Sequence, residues 1–326
     1  METSVDTTPC WLNCGIAVII IIIILVLIAA LIIYYLWKRF IRESNQKFLA
    51  NLINTCEHIV PITYTTSVSK PADLNLYDYN LSKSLMDISF AVGESNCINI
   101  DPIANPPGFD TQYRIVEPDP ADGVYRMFAM VFTNFKTAGA PGRFLVAFTG
   151  TVFQDEWNND LDFPQVAATG INNYKSGILV HHGFYNVYMS VRPHLWDLFN
   201  YFNNQNMIDE LYISGHSLGA ALSSIAAFDF AKYQPIHYSF ASPRTGNVAF
   251  ANTFDTLVPT SMRIYNIEDI ITELPPPIIL NNIYCHVNRG IPFNINLGTV
   301  KANHMNAYLS YLPTCLPNIA PCNSPS

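Results

Sequence analysis

The chain has 326 residues, of which half are hydrophobic and 13% are charged, and its formal net charge is -8. Apart from a short segment at 38–47, it has no basic block, which argues against nucleic acid as a partner. The seven cysteines include no Cys-x-x-Cys pair, so no zinc site is expected, and the sequence predicts neither a metal nor a cofactor.

The first feature along the chain is a long apolar run. Residues 1–14 form a short polar tail, and residues 15–37 are apolar without interruption. At about 1.5 Å per residue this run would cross a hydrocarbon core of roughly 30 Å, so the sequence predicts one transmembrane helix over 15–37. A cleaved signal peptide is the competing interpretation, and the absence of a positive charge before the run argues against it.

Basic residues follow the apolar run directly, beginning with Lys38 and Arg39 and ending at Lys47. By the positive-inside rule, these charges predict a single-pass membrane protein with its N-terminus outside or lumenal and its large domain in the cytoplasm. Residues 38–60 are expected to form a juxtamembrane helical stalk. Residues 61–326 are expected to form one α/β domain, and its oligomeric state stays open.

Strands and helices alternate along this domain. Strands are predicted over 126–136, 143–149, 211–214, 236–241 and 261–267, and helices over 81–92 and 183–204. Pro193 is expected to kink the second helix or to start a fresh helical segment. This alternation predicts an α/β fold with a mainly parallel central sheet covered by helices.

A G-x-S-x-G pentapeptide over Gly215–Gly219 lies between a short apolar run and a run of small residues. The order predicts a strand, a sharp turn and a helix, with the Ser217 hydroxyl projecting from the turn. A side chain at either glycine would collide with the neighbouring backbone where the chain reverses. A serine at such a turn is a candidate nucleophile, and it then needs a base, an acid and donors for an oxyanion.

Three histidines follow the serine and are candidates for the base. His237 and His286 lie in strand-like runs, where a packed structural role is favoured. His304 lies in a predicted loop before a helix, where a side chain can reach the serine. In folds with this elbow the acid lies between the serine and the histidine in the chain.

Three acidic residues are candidates for that position. Asp269 follows the predicted strand that ends at residue 267, and the carboxyl end of such a strand lies at the active-site edge of a parallel sheet. Glu268 is its immediate competitor and Asp255 is a weaker one.

These residues carry a resemblance to the class 3 lipases, the fungal triacylglycerol lipase type of α/β-hydrolase. Six segments are similar to family motifs and occur in the family's order: 148–151, 180–188, 215–219, 240–247, 266–275 and 304–308. One motif alone is weak, whereas six in order are specific. Thr149 departs from the pattern, because the family usually has arginine there.

The resemblance implies an α/β-hydrolase fold and a role for each matched residue. Ser217, Asp269 and His304 would form the catalytic triad, and Asp269 is selected over Glu268. The oxyanion would be held by Thr151 and by the backbone N–H of Leu218. Residues 152–163 would form a lid over the acyl pocket, and an amphipathic pattern around Trp157 fits this expectation, although a packed core role for Trp157 is equally compatible.

The sequence therefore predicts a membrane-anchored serine lipase that hydrolyses carboxylic esters of glycerolipids, triacylglycerol or diacylglycerol, through an acyl-enzyme. A phospholipase A1 or another carboxylesterase is the alternative among enzymes. An inactive hydrolase-fold scaffold or lipid-binding protein is the alternative of another class. Pairing of Cys315 with Cys322 is left open.

Overall fold

The computed structural model describes residues 22–36, 64, 66–94, 103–121, 123, 125–150, 164–279, 281–287 and 289–314. The chain divides into two compact units, Met1–His58 and Ile59–Ser326. In the first unit the described residues form one helix, α1, over 22–36, whose side chains are exposed throughout.

The predicted localisation as a single-pass membrane protein is wrong. Across the described residues, the structure has no helix with the length and apolar character needed to cross a membrane. Of the predicted span 15–37, residues 15–21 and 37 lie outside the described residues.

Several other predictions fall outside the described residues. The polar tail over 1–14 and the stalk over 38–60 are among them, together with Cys315 and Cys322.

The second unit alternates strands with helices. Its elements are α2 (Tyr79–Glu94), β1 (Thr111–Pro118), β2 (Tyr125–Asn134), β3 (Arg143–Phe148), β4 (Gln165–Ala167), β5 (Leu179–His181), α3 (His182–Asn204), β6 (Glu210–His216), α4 (Leu218–Asp229), β7 (Ile236–Phe240), α5 (Val248–Leu257), β8 (Ser261–Asn266), β9 (Ile278–Ile279), β10 (Asn282–Ile283), β11 (Gly290–Phe293) and α6 (Ala307–Ser310).

The central sheet has seven strands in the order β1-β2-β3-β6-β7-β8-β11. From β3 to β11 all neighbours are parallel, and β1 and β2 extend the sheet as an antiparallel edge. The inner strands β6 and β7 are buried along almost their whole length, as expected for parallel strands covered on both faces. The predicted mainly parallel sheet covered by helices is confirmed.

The sheet separates two hydrophobic cores. On one face α3, α4 and α5 pack around residues such as Phe199, Phe228 and Phe250. On the other face α2 and α6 pack around residues such as Leu85 and Tyr308. Helix α3 runs through Pro193 as one helix, in contrast to the predicted fresh segment.

Helix α4, which follows the serine, is held at its C-terminal end by the buried carboxylate of Asp229. Its Oδ2 accepts hydrogen bonds from the Tyr188 hydroxyl at 2.7 Å, Arg192 Nε at 2.7 Å and Trp196 Nε1 at 2.8 Å. Its Oδ1 accepts from the backbone N–H of Asn172 at 2.6 Å. The helix dipole disfavours a carboxylate at this end, and the Arg192 cation offsets that effect.

Replacing Asp229 with alanine is expected to lower the free energy of unfolding by about 3–5 kcal/mol, because it leaves the buried donors and the Arg192 charge without a partner. Urea denaturation followed by circular dichroism measures the change. As a control, Lys136→Met removes an exposed partner of Asp209 and should cost less than about 1 kcal/mol. Equal losses in the two variants would contradict a structural role for the buried cluster.

Candidate active site

Ser217 lies at the turn between β6 and α4, at the carboxyl edge of the parallel sheet. Its backbone has φ 59° and ψ −126°, and residues other than glycine rarely adopt a positive φ. A Cβ at Gly215 would lie 2.2 Å from the Gly219 carbonyl oxygen, and a Cβ at Gly219 would lie 2.5 Å from the Phe148 oxygen. Both glycines are therefore required by close backbone approach, as the sequence predicts.

The three side chains predicted for the triad form one hydrogen-bonded line. His304 Nδ1 lies 2.8 Å from Asp269 Oδ2, and His304 Nε2 lies 2.8 Å from Ser217 Oγ. Because a carboxylate only accepts, Nδ1 carries the ring proton, and Nε2 is left to accept from the serine hydroxyl. All three residues are buried, with exposures of 5% or less. This geometry allows the imidazole to take the hydroxyl proton as the serine attacks a carbonyl carbon.

The Asp269 carboxylate is fully buried and has hydrogen-bond donors on both oxygens. Oδ2 also accepts from the Tyr308 hydroxyl at 2.8 Å, and Oδ1 accepts from the Ile271 N–H at 3.1 Å. The Tyr308 oxygen in turn accepts from the Asn266 N–H at 2.9 Å. Burial and the neighbouring carboxylate raise the pKa of Tyr308 well above its usual value, so it stays a donor.

The competing acids are placed elsewhere. Glu268 is exposed, and its carboxylate accepts from the Asn296 side chain at 3.2 Å. Asp255 lies in α5.

The segment that carries His304 is a single π-helical turn, Ala302–Asn306, which continues into α6. The Asn266 side chain at the end of β8 donates to the Asn303 carbonyl at 3.2 Å. The Asn303 side chain donates in return to the Glu268 carbonyl at 3.1 Å. These reciprocal contacts fix the base segment against the loop that carries the acid.

The side chain of His216, the residue before the serine, contacts the backbone of His304. Its Nε2 donates to the His304 carbonyl oxygen at 2.7 Å, and the two rings lie 4.8 Å apart. Burial, with the nearby His304, lowers the pKa of His216 to about 3, so this ring is neutral at ordinary pH. The sequence carries no local signal for this contact, because it joins residues that are 88 positions apart.

The other two candidate bases are not hydrogen-bonded to Ser217. His237 lies between the hydroxyls of Ser223 at 2.9 Å and Ser261 at 2.8 Å, and burial lowers its pKa to about 3. Burial, with two nearby arginines, lowers the pKa of His286 to about 3 as well. The packed structural role that the sequence favours for His237 fits these contacts.

The strand before the predicted oxyanion loop ends beside the serine. Thr149, where the family usually has arginine, is buried, and its hydroxyl donates to the Met127 carbonyl at 2.9 Å. A Cβ at Gly150 would lie 3.0 Å from the His216 oxygen and 3.5 Å from Ser217 Cβ. Leu218, the other predicted oxyanion residue, is the first residue of α4. Thr151 and Trp157 lie outside the described residues.

Comparison with known families gives a match that fits this geometry. Residues 145–278 match the class 3 lipase family. The matched segment contains the elbow serine and Asp269, and it ends before His304.

Several curated relatives are plant phospholipases. Phospholipase A1-II 3 of Oryza sativa subsp. indica is 31% identical over 200 residues, covering 51% of this chain and 47% of the relative. The chloroplastic phospholipase A(1) DAD1 of Arabidopsis thaliana is 29% identical over 156 residues, covering 42% and 34%. The chain thus spans less than half the length of these curated relatives.

Solved structures of fungal lipases are also similar. A mono- and diacylglycerol lipase from Aspergillus oryzae is 27% identical, with a TM-score of 0.39, over 45% of this chain and 52% of that one. The Rhizomucor miehei triacylglyceride lipase is 22% identical, with a TM-score of 0.41, over 57% and 72%.

Replacing Tyr308 with phenylalanine tests its contact with Asp269. We expect kcat for ester hydrolysis to fall about tenfold, because a hydrogen bond to a charged group contributes about 1.5–3 kcal/mol. KM should not change. Tyr212→Phe, which loses a hydrogen bond to Glu210, is the control. A kcat of Tyr308→Phe equal to that of the parent protein would contradict the assigned role.

The stability of the fold should depend on pH through His237. Above about pH 6.5 this histidine is neutral in both folded and unfolded chains. Below that pH the unfolded chain binds a proton at His237, whereas the native state binds it only near pH 3. The free energy of unfolding therefore falls as the pH is lowered. His237→Gln should make the slope between pH 6 and pH 4 shallower by about 1.4 kcal/mol per pH unit. Urea titrations at several pH values measure it, and equal slopes would contradict the burial argument.

Proposed function

We propose that the protein is a serine ester hydrolase that acts on glycerolipids through Ser217, His304 and Asp269. The observation that carries the proposal is the buried line of hydrogen bonds from Ser217 Oγ to Asp269 Oδ2 through the His304 ring. The similarity of residues 145–278 to class 3 lipases supports the choice of a lipid ester as substrate.

The reaction follows from this arrangement. His304 Nε2 takes the hydroxyl proton while Ser217 Oγ attacks the ester carbonyl, and Asp269 stabilises the imidazolium that forms. His304 then gives the proton to the departing alcohol, leaving an acyl-enzyme. Water attacks the acyl-enzyme by the same route and releases the fatty acid. The backbone N–H of Leu218 is placed at the N-terminus of α4, where it can donate to the oxyanion, and Thr151 is proposed as the second donor.

Two substrate classes are candidates within this reaction. Acylglycerols are the class predicted from the sequence resemblance. A phospholipase A1 activity is favoured by a different observation, namely the names of curated relatives that are 29–33% identical to this chain. Hydrolysis of a panel of lipids with defined acyl positions separates the two: release of the sn-1 acyl chain from phosphatidylcholine indicates a phospholipase A1.

A fluorophosphonate probe is expected to label the full chain at Ser217. Labelling should be lost in Ser217→Ala, and kcat on any ester substrate should fall by about 10⁵-fold or more. Ser242→Ala, which removes another buried hydroxyl after β7, is the control and should keep both the labelling and the kcat of the parent protein. Folded protein that does not react with the probe would overturn the proposal and favour an inactive scaffold.

A further inference from the structure

The exposed isoleucines of the second unit are concentrated in one short segment. Among its described residues every exposed isoleucine lies between 267 and 283, and together we call these four residues the isoleucine patch. They are Ile267 at 58%, Ile270 at 58%, Ile278 at 72% and Ile283 at 54%. Isolated exposed apolar residues are ordinary, whereas a contiguous exposed apolar surface marks an interaction site.

Two members of the patch lie at the edge of the sheet where Ser217 and His304 meet. Ile267 and Ile270 belong to the loop after β8, on either side of Asp269. Ile278 and Ile283 face each other as a cross-strand pair in the β9–β10 hairpin. Directly opposite residues in such a pair lie on the same face of the ribbon, so their side chains form one apolar surface.

The hairpin is anchored on the loop that follows β7, the neighbour of β6 in the sheet. Before the hairpin, the Leu274 carbonyl accepts from the Arg244 N–H at 2.7 Å, and after it, Cys285 N–H donates to the Gly246 carbonyl at 2.8 Å. The Gln165 side chain donates to the Ile283 carbonyl at 2.8 Å. The isoleucines are therefore held outward by a braced backbone.

The charge of the segment narrows the choice of partner. Residues 267–283 contain three acidic residues and no lysine or arginine. Asp269 is buried, Glu268 accepts from Asn296, and Glu273 is paired with Arg244. The segment itself has no cation to attract an anionic surface, so a neutral apolar surface is the better partner.

We propose that the isoleucine patch is the surface through which the domain inserts into the acyl region of a lipid assembly with neutral headgroups. The proposal rests on the proposed function, because it places the lipid ester beside the Ser217–His304 pair. Insertion of the patch would bring the substrate to the serine without withdrawing it fully into water.

Tryptophan quenching tests the placement independently of catalysis. In the full chain carrying Ser217→Ala, a tryptophan is introduced by Ile278→Trp, and phosphatidylcholine vesicles with brominated acyl chains are added. The matched control is Tyr201→Trp, at a position of 62% exposure near the end of α3, at the edge of the sheet opposite Ser217. Helix α1 is common to both proteins, so its contribution cancels.

We expect the added emission of the residue 278 variant to be quenched and that of the residue 201 variant to be retained. Equal quenching of both, or no quenching at residue 278 in vesicle-bound protein, would overturn the proposal. A dimer formed without lipid would overturn the proposal as well, if the double variant Ile278→Ser with Ile283→Ser is monomeric. The patch would then bind a second copy of the chain.

Kinetics complete the test. The double variant Ile278→Ser with Ile283→Ser should hydrolyse vesicle lipid about tenfold more slowly, since two exposed isoleucines lose their burial in lipid. Its rate on a soluble short-chain ester should be unchanged. Loss of activity on both substrates would count against the patch as a lipid-docking surface. Absence of activity in the parent protein would instead overturn the proposed function, and the quenching result would still stand.

Discussion

The placement of the candidate site depends on the hydrogen bonds to one carboxylate, that of Asp269, which has no access to water. An ionised group in a dry interior is costly unless hydrogen-bond donors surround it. The donors to Asp269 come from the next turn, from Tyr308 and from His304, so chain segments up to 39 residues apart converge on it. The end of β8, the π-helical turn and α6 are thereby fixed relative to one another, and the base is oriented as a result.

The serine is fixed by a different constraint, the close approach of backbones at the elbow. With glycine at 215 and 219, the turn can press against the end of β3 and hold Ser217 at a positive φ. This conformation costs of order 1–3 kcal/mol and persists only where the surroundings enforce it. Here they do so at both ends of α4, through the elbow and through the Asp229 cluster. Strain is held at the residue that we propose as the nucleophile.

The sequence predicts those features of the site that depend on residues close together in the chain. The elbow, the parallel strands and the choice of His304 and Asp269 follow from short motifs and their order, and the structure brings those side chains together. The contacts of His216 and Tyr308 are not predictable in this way, because they depend on how distant segments pack. The localisation predicted from the apolar run at 15–37 is wrong, because no helix among the described residues has the length and apolar character to cross a membrane.

The β9–β10 hairpin is joined to the loop after β7 at its base, where Arg244 and Gly246 bind the segments on either side of it, and to Gln165 through the Ile283 carbonyl. The residues that bond Asp269 and His304 lie outside the hairpin. Changes in its length or composition would therefore leave the reacting groups in register. In evolutionary terms this separates two kinds of variation: the surface that meets the substrate can diverge among descendants of the chain while the chemistry beneath it is inherited unchanged.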